Sequence, residues 1–455
     1  MGRKDVVVYS EDYKKLVDAT ALKDKYYEID ERVEEICKEA FKGCDKLEEI
    51  VMPKKLKKID SEAFQGCSSL TKLTLPDSVT SIGKGAFWGC TGLTELTLSN
   101  GLKSILKEVF WGCTGLTELT LSNGLKSILK EVFWGCTGLT ELTLPKKLKS
   151  IGNDAFRGCT GLTELTLPNS VTSIGEYAFH NCTGLAKLTL PDSVTSIGDH
   201  AFEGCTGLTE LTLPNSVTSI GDCAFADCSG LEKIMVESGN SRYDSRDNCN
   251  SIIDKKTNTL IVGCKNSIIP NSVTNIGSGA FAYCSGLTEL TLPNSVTSIG
   301  EHAFFCCSGL TELTLPDSIT SIGDYAFAYC SDLSKITSLA EIPPVCGSGV
   351  FDGVNKTNCE LIVPVISVIA YKQAEVWNEF SNISGFSGVE DTVADGNTIR
   401  AIGNQIEISG DFTSVEVYGI NGALIYKGKD NVVTVPSAGI YLVHVAGKTR
   451  KIVVE

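Results

Sequence analysis

The amino-acid sequence predicts a repeat solenoid, a right-handed superhelix rich in short β-strands with brief helical or 3₁₀ turns, followed by a small C-terminal β-sandwich. Three observations predict this fold. Cysteines recur every 23 residues, each interval carries the same apolar pattern, and the repeat fades well before the C-terminus, where strand-like segments remain. A fixed period of this length is the signature of a stacked array, whose units bury their apolar faces only against their neighbours.

The cysteines that keep this period define the units. Nine of them follow one another without interruption, and three more resume the same step after a gap of 56 residues. The set is Cys44, Cys67, Cys90, Cys113, Cys136, Cys159, Cys182, Cys205 and Cys228, then Cys284, Cys307 and Cys330. Because the gap exceeds two periods by ten residues, it predicts an insertion in the array rather than a second domain.

One unit reads C-T-G-L-T-E-L-T-L-P-N-S-V-T-S-I-G-x-x-A-F-x-x, and its L-x-x-L-x-L segment is the strand signature of a leucine-rich repeat. Alternation along that strand directs Leu96 and Leu98 inward and Glu95 outward. A proline corner, a second short strand in V-T-S-I-G and a turn at the Ala-Phe pair complete the coil. Coils stacked about 4.8 Å apart would align the recurrent phenylalanines in one core column. These are Phe41, Phe64, Phe87, Phe110, Phe133, Phe156, Phe179, Phe202, Phe225, Phe281, Phe304 and Phe327.

Departures from the period predict how the chain is divided. Residues 5–17 resemble 250–262, and both segments read as β-hairpins that feed the next coil. Ser367 is a candidate helix N-cap, and a helix is expected over about 368–380. Alternating apolar residues around Asn421-Gly422 predict paired strands in the tail. The predicted limits are 1–29 for an N-terminal hairpin cap, 30–345 for the solenoid with a hairpin insertion at about 237–268, 346–386 for a C-terminal cap, 387–398 for a linker and 399–455 for the β-sandwich.

Composition argues against several classes of function. The 455-residue chain has a formal net charge of −15 and a pI of about 4.9. Nucleic acids and anionic membrane surfaces attract clustered Lys and Arg, so neither is an expected partner. No apolar stretch approaches the ~20 residues of a membrane-spanning helix. The first five residues open no signal-peptide core, and we expect that such a signal has been removed from this chain.

The motifs A-F-x-x-C, L-T-L-P and S-V-T-S-I-G together resemble the BspA-like leucine-rich repeat surface proteins of Bacteroides-type bacteria and treponemes. This resemblance covers residues 5 to about 386. The tail, 399–455, is similar to the C-terminal sorting domains of the type IX secretion system, through G-I-Y-L-V-H-V and the terminal K-I-V-V-E. The resemblance implies an exported protein, extracellular or displayed at the bacterial cell surface, with a family role in adhesion to host matrix proteins and to other cells.

Three tryptophans form the first candidate binding site. The residue after the core phenylalanine is polar or charged in several coils, but it is Trp88, Trp111 and Trp134 in three successive ones. Three indoles about 4.8 Å apart would make an exposed apolar strip, which fits a protein hot spot or stacking against a sugar ring. The alternative is that duplication copied one tryptophan whose ring only shields a neighbouring edge.

The outward strand position supplies the second candidate. It is glutamate in four successive coils, beside a column of threonines. These glutamates are Glu95, Glu118, Glu141 and Glu164. Adjacent like charges at this spacing repel by roughly 0.9 kcal/mol even in water, so the run disfavours stability and fits a concave groove for a basic partner or a cation. The alternative is a solvated face that keeps the solenoid soluble, with Lys72 and Lys187 relieving the run.

The twelve register cysteines, of 19 in all, predict a reduced core column, because a structural zinc site needs close pairs that converge on one point, and cysteine is a small and frequently buried residue. Cys249 and Cys264 are the exception: a hairpin loop at 255–258 would place them opposite each other, as candidates for a cross-strand disulfide. No metal site and no cofactor are expected. Catalytic and nucleotide-binding motifs are missing, and His180, His200 and His302 fall at variable surface positions.

These features predict a non-catalytic recognition or adhesion protein, a monomer that presents a rigid repeat surface. Its expected partner is a host matrix protein, another cell-surface protein or a glycan, since a preformed surface binds with little ordering cost. Two alternatives stay open. One is a structural spacer without a ligand of its own, and the other is a carbohydrate-binding accessory module.

Overall fold

The computed structural model describes residues 6–386, 391–392, 398–402, 405–410, 412–419, 423–436, 439–445 and 448–454. The chain forms two compact units, Met1–Ile336 with Pro344–Cys359, and Thr337–Pro343 with Glu360–Glu455. The predicted fold class is confirmed: the chain is a β-solenoid of about 16 turns with very little helix, and it carries a small β-rich region in its C-terminal part.

Most regular coils contribute one strand to each of two parallel ladders, and the coil at 141–143 joins the first ladder only through isolated bridges. Strand pairing in the first ladder also stops between Glu49–Val51 and Lys72–Thr74 and between Lys187–Thr189 and Glu210–Leu213. The first ladder contains the L-x-x-L-x-L strands Tyr26–Glu28, Glu49–Val51, Lys72–Thr74, Glu95–Thr97, Glu118–Thr120, Glu164–Thr166, Lys187–Thr189, Glu210–Leu213, Lys233–Val236, Glu289–Thr291, Glu312–Leu315 and Lys335–Ser338. The second contains Glu35–Ile36, Lys58–Ile59, Ser81–Ile82, Ser104–Ile105, Ser127–Ile128, Ser150–Ile151, Ser173–Ile174, Ser196–Ile197, Ser219–Ile220, Asn275–Ile276, Ser298–Ile299, Ser321–Ile322 and Val345–Cys346. Each side chain meets its own copy one coil away, as Glu118 meets Glu95. This register keeps the recurrent leucines and isoleucines on the inner face.

The predicted phenylalanine column forms the core of the solenoid. Neighbouring rings stack nearly parallel, with centroids 4.8 Å apart between Phe41 and Phe64 and 5.3 Å apart between Phe156 and Phe179. The Phe156 amide donates to the Ala178 carbonyl of the next coil at 2.8 Å. Stacking and backbone hydrogen bonds therefore act along the same axis, and each coil is stabilised from both sides.

The cysteine column lies beside the phenylalanines. Most register thiols donate to a phenylalanine carbonyl of the preceding coil, as Cys182 Sγ does to the Phe156 oxygen at 3.2 Å, and Cys44 Sγ donates to the Ala19 carbonyl instead. Burial raises the pKa of the Cys182 thiol to about 12, which keeps it protonated and unreactive. The structure contains all 19 cysteines as free thiols.

The turns that carry the phenylalanines are not helical, contrary to expectation. Among the described coils they are hydrogen-bonded turns without a helix or a 3₁₀ segment. The reason is a left-handed residue on each side of the phenylalanine: Tyr177 and Asn181, which flank Phe179, have φ values of 53° and 57°. A helix cannot continue through residues of opposite hand.

An antiparallel hairpin begins the described chain, with strands Val8–Tyr9 and Lys15–Asp18. Its second strand pairs in parallel with Glu35–Ile36 and so joins the second ladder. The insertion repeats this arrangement. It contains Tyr243–Asp244, a 3₁₀ turn at Arg246–Asn248, and an antiparallel hairpin of Ile252–Asp254 and Thr259–Val262, whose last strand pairs in parallel with Asn275–Ile276.

The register of the insertion hairpin separates Cys249 from Cys264. Asp254 lies opposite Thr259, as predicted, but a bulge between Ile252 and Ile253 shifts the pairing by one residue. The Cys249 thiol then lies 2.9 Å from the Ser251 hydroxyl, and both cysteines are free. The structure therefore does not contain the predicted disulfide.

The second unit contains most of the region where the sequence predicts a C-terminal cap. This part holds two parallel strands, Glu360–Pro364 and Asn382–Phe386, 3₁₀ turns at Val365–Ser367 and Trp377–Glu379, and one helix, Val368–Gln373. The helix is shorter than predicted, because Ala374 is extended and Val376 has a φ of 69°. Ser367 does not cap it: its hydroxyl donates to the Glu341 carbonyl at 2.7 Å. Tyr371 and Trp377 are fully buried.

The rest of the second unit forms two antiparallel sheets around one apolar core. One sheet contains Asp391–Thr392, Thr398–Ile402, Gln405–Ser409 and Val432–Thr434, and the other contains Leu424–Gly428, Val415–Gly419, Gly439–Val445 and Lys448–Val454. Most of the predicted linker 387–398, the turn residues 421 and 422, and the terminal Glu455 lie outside the described residues. The domain limits given in the sequence analysis stay a prediction.

Candidate binding surfaces

The acidic strand column, Glu95, Glu118, Glu141 and Glu164, lies on the outward side of the first ladder. Its ends are neutralised: Lys72 Nζ lies 2.5 Å from the Glu95 carboxylate, and Lys187 Nζ lies 2.6 Å from that of Glu164. Of these four side chains, Glu118 and Glu141 have no ion pair with any described residue. This charge balance favours a solvated face over a groove for a strongly basic partner.

The tryptophan strip, Trp88, Trp111 and Trp134, has the predicted spacing. The ring centroids are 5.0 Å and 4.8 Å apart, and each pair of rings is tilted by only 8°. Trp88 is 38% exposed, and the other two indoles are half-buried. Each indole therefore covers a face of its neighbour, and the strip presents ring edges to solvent at its centre.

The aromatic surface continues beyond the tryptophans through an arginine. The Arg157 guanidinium lies 4.7 Å from the Trp134 ring centroid and 5.1 Å from that of Tyr177. Tyr177 in turn stacks on His200, with centroids 4.6 Å apart. Arg157 also binds the Asp154 carboxylate at 3.0 Å, which holds the guanidinium between the two rings.

A second aromatic group lies on the same turns, after the insertion. Phe305 makes edge contacts with Tyr283, His302 and Tyr329 at centroid distances of 5.4, 5.1 and 5.4 Å. Tyr325 stacks on His302 at 5.3 Å. Tyr325 is 36% exposed and Tyr329 53%. We call both groups together the lateral face: the tryptophan strip with Arg157, Tyr177, His180 and His200, and the group Tyr283, His302, Phe305, Tyr325 and Tyr329.

The turns that carry the lateral face stay stacked across the insertion. The Asp227 amide donates to the Ala282 carbonyl at 3.1 Å, although the two residues belong to coils separated in sequence by the insertion. Gly279 packs directly against Cys223. The two aromatic groups therefore lie along one uninterrupted stack of turns.

An acidic site lies between the two aromatic groups. The Glu203 carboxylate contacts His200 Nδ1 at 2.7 Å and His180 Nε2 at 3.5 Å. Burial lowers the pKa of His180, against the opposing charge of Glu203. Burial and the neighbouring Glu203 charge raise the pKa of Asp227 to about 6. Among the residues that the structure describes, no group of three His, Cys, Asp or Glu side chains could hold a metal ion.

The raised pKa of Asp227 predicts a pH-dependent stability. The folded state retains a proton up to about pH 6, whereas the unfolded carboxyl releases it near 3.8. Stability should therefore fall as pH rises through this window, because the folded chain binds more protons there. Asp227→Asn should remove that loss. The variant should therefore have a higher unfolding temperature than the unmodified protein at pH values above 6, but not at pH values below 3.8.

Thermal unfolding as a function of pH measures this effect. Asparagine tolerates the left-handed backbone of residue 227, whose φ is 53°, so the substitution adds no strain. Asp192→Asn, at an exposed carboxylate, is the control and should leave the pH profile unchanged. A parallel shift at every pH would contradict a titration origin.

The sequence profile of the BspA type leucine rich repeat region, in six copies, matches residues 22–140, 126–253 and 251–368. These segments include most of the chain and all the coils that carry the lateral face. The chain belongs to the BspA-type leucine-rich repeat family. No curated protein sequence matches it.

Two solved structures are similar to this BspA-type protein. A leucine-rich repeat protein from Bacteroides ovatus ATCC 8483 is 30% identical, with a TM-score of 0.56 over 73% of this chain and 85% of that chain. A leucine rich cell surface protein from Faecalibacterium prausnitzii A2-165 is 25% identical, with a TM-score of 0.55 over 84% of this chain and 93% of that chain. The family and both neighbours are repeat proteins. The similarity of the tail to sorting domains stays a prediction.

Sequence reasoning found three residues of the lateral face of this BspA-type protein and missed most of the others. The missed side chains occupy three positions relative to a core phenylalanine: two residues before it, one residue after it and two residues after it. Around Phe179, Tyr177 is two residues before and His180 is one residue after. Comparing these three positions over all coils would have found them.

No helix in the described chain has the length and apolarity needed to cross a bilayer.

Proposed function

We propose that this BspA-type protein is a non-catalytic recognition protein of the bacterial cell surface and that it binds a protein partner through the lateral face. The family supports the surface location, as does the similarity to a protein described as a cell surface protein. The single observation that carries the binding proposal is the concentration of Trp, Tyr, Phe and Arg side chains on one set of turns. Trp, Tyr and Arg are the residues that dominate protein interfaces.

The ring geometry favours a protein over a glycan. Sugar recognition by tryptophan needs an open ring face, but the neighbouring indoles cover both faces of Trp111. The guanidinium of Arg157 lies against Trp134 as well. Ring edges and half-buried tyrosines still offer apolar contact and hydrogen bonds to a protein surface. The acidic strand column, neutralised at both ends, is the less suitable site.

The test is a binding screen of the purified full chain against host matrix proteins and glycans at low and high salt. We expect a protein ligand whose affinity falls by about tenfold or more in Trp88→Ala/Trp111→Ala/Trp134→Ala, since hot-spot truncations cost 2 kcal/mol or more. Tyr325→Ala/Tyr329→Ala is a second variant of the lateral face, at exposed positions where folding is not at risk.

Glu118→Gln/Glu141→Gln is the matched control, because it changes the two unpaired glutamates of the acidic strand column. This variant should bind as the unmodified protein does. Binding that survives both aromatic variants but is lost in the glutamine variant would move the site to the acidic strand column. A chain that binds only glycans, or nothing in the panel, would favour the accessory-module or spacer interpretation instead.

A further inference from the structure

The insertion leaves one strand of the solenoid without a neighbour. Lys233–Val236 pairs in parallel with Glu210–Leu213 on one side. Among the described strands, none pairs with its other side. The next strand of this ladder, Glu289–Thr291, pairs only with Glu312–Leu315. At the other unpaired junctions of this ladder the next regular coil follows directly, whereas Lys233–Val236 is followed by the insertion and has an open edge.

A regular coil shows which hydrogen bonds this edge lacks. The Leu98 amide donates to the Thr120 carbonyl of the next coil at 2.9 Å, and the Leu213 carbonyl accepts from the Glu237 amide at 3.0 Å. Val236 takes the position of these two leucines in its own coil. In the part of the chain that the structure describes, no following strand supplies its partners, so its N–H and C=O groups point to an empty strand position.

One side chain of the insertion covers half of the open edge. Asn250 Oδ1 accepts from the Ile234 amide at 2.6 Å, and Asn250 Nδ2 donates to the Glu232 carbonyl at 2.8 Å. The carboxamide thus replaces the two hydrogen bonds that a neighbouring strand would make at this point. The Ile234 carbonyl and the Val236 amide, further along the same edge, have no such substitute.

Along its whole length, the edge lines a cleft of about 890 Å³. We call it the edge cleft. It is lined by residues 232–236 with Thr209 and Glu210, and by Ser245, Asn248, Asn250 and Asn266. Met235 is 42% exposed there. The volume is in the range of sites that bind ligands and short peptides, and the lining combines backbone groups, side-chain amides and one flexible apolar side chain.

We propose that the edge cleft binds an extended peptide segment of a partner protein, which adds to Lys233–Val236 as a further strand. A peptide backbone can form hydrogen bonds with the open backbone donors and acceptors of a cleft. The flanking side chains of the cleft then select the side chains of the peptide. Asn266 Nδ2 already donates to the Glu232 carbonyl at 3.3 Å, so the Asn248 amide is the side-chain group that can pair with peptide groups, and Met235 adapts to an apolar side chain. The cleft is lined on both sides, so it favours a single extended chain over the sheet edge of a second folded copy. This site is independent of the lateral face.

The probe is a display library of short random linear peptides, selected on the full chain. Selected peptides should bind Val236→Thr as they bind the unmodified protein, because threonine keeps the backbone N–H and the β-branched shape. Val236→Pro should weaken them by roughly tenfold or more, since proline removes the donor and its ring enters the strand position. Proline is tolerated on an open strand edge, and circular dichroism verifies that both variants fold.

A second measurement identifies the binding mode. N-methylation of the selected peptide at successive residues should abolish binding at every second position, because alternate amides of an added strand face the protein. Trp88→Ala/Trp111→Ala/Trp134→Ala should keep peptide binding, which separates this proposal from that for the lateral face. Three outcomes would overturn it: no selected peptide, equal binding to Val236→Pro, or self-association of the chain that Val236→Pro removes.

Discussion

Replacement of Phe179 by alanine should lower the free energy of unfolding by about 3–5 kcal/mol, the usual cost of removing a buried phenylalanine ring. Phe179 is fully buried. It stacks on Phe156 and on Phe202 with centroids 5.3 Å away on each side. Removal of the ring therefore leaves a cavity in the column, and Phe156 and Phe202 each lose one of their two stacking partners. Urea denaturation followed by circular dichroism measures the loss.

The control for this substitution is Phe305→Ala. Phe305 is also a phenylalanine in a turn, but it is half-buried and belongs to the lateral face. Its removal should cost less than half as much, because solvent already reaches the ring and no core column is interrupted. Equal losses for the two variants would show that the stacked column is not the main source of stability.

A methyl group at Gly263 should destabilise the protein by about 1–3 kcal/mol, the typical cost of overpacking a core. Gly263 is the point where the insertion crosses the core column. A Cβ atom there would lie 2.2 Å from the Phe281 ring. Phe281 is buried and stacks on Phe304 at 5.1 Å, so the ring cannot move without disturbing the next coil. The same denaturation experiment on Gly263→Ala measures this cost.

Gly286→Ala is the matched control, since it lies close to the same insertion. The three atoms nearest to its Cβ would all belong to the Lys265 side chain, at 3.0 Å and beyond. A flexible lysine can move away, so stability should change little. A large loss at Gly286 with none at Gly263 would contradict the proposed packing of the insertion against the core.

The two proposed binding sites arise from different departures from the repeat. The lateral face arises because coils keep the core positions and vary the turn positions, where Trp134, Arg157 and Tyr177 come into contact. The edge cleft arises because the insertion interrupts one ladder and covers half of the resulting edge with Asn250. In both cases the regular coils provide a rigid support, which reduces the entropy cost of binding.

The sequence by itself determined the period, the two ladders and the phenylalanine and cysteine columns. It could do so because each inward position repeats with the same chemistry, and burial requires identical coils to stack in register. The two hairpins were also readable, from the similarity of 5–17 to 250–262 and from Asp254 opposite Thr259. The tryptophan spacing followed directly from the spacing of the coils.

Other features were decided only by the tertiary structure, because contacts between neighbouring coils override the conformational preference of the local sequence. The turns are left-handed at Tyr177 and Asn181 because stacking, and not propensity, fixes their backbone. A single bulge separates Cys249 from Cys264. Ser367 bonds to a carbonyl distant in sequence instead of capping a helix. The lateral face and the edge cleft depend on side chains brought together from separate coils, and such contacts are set by three-dimensional packing rather than by any local sequence pattern.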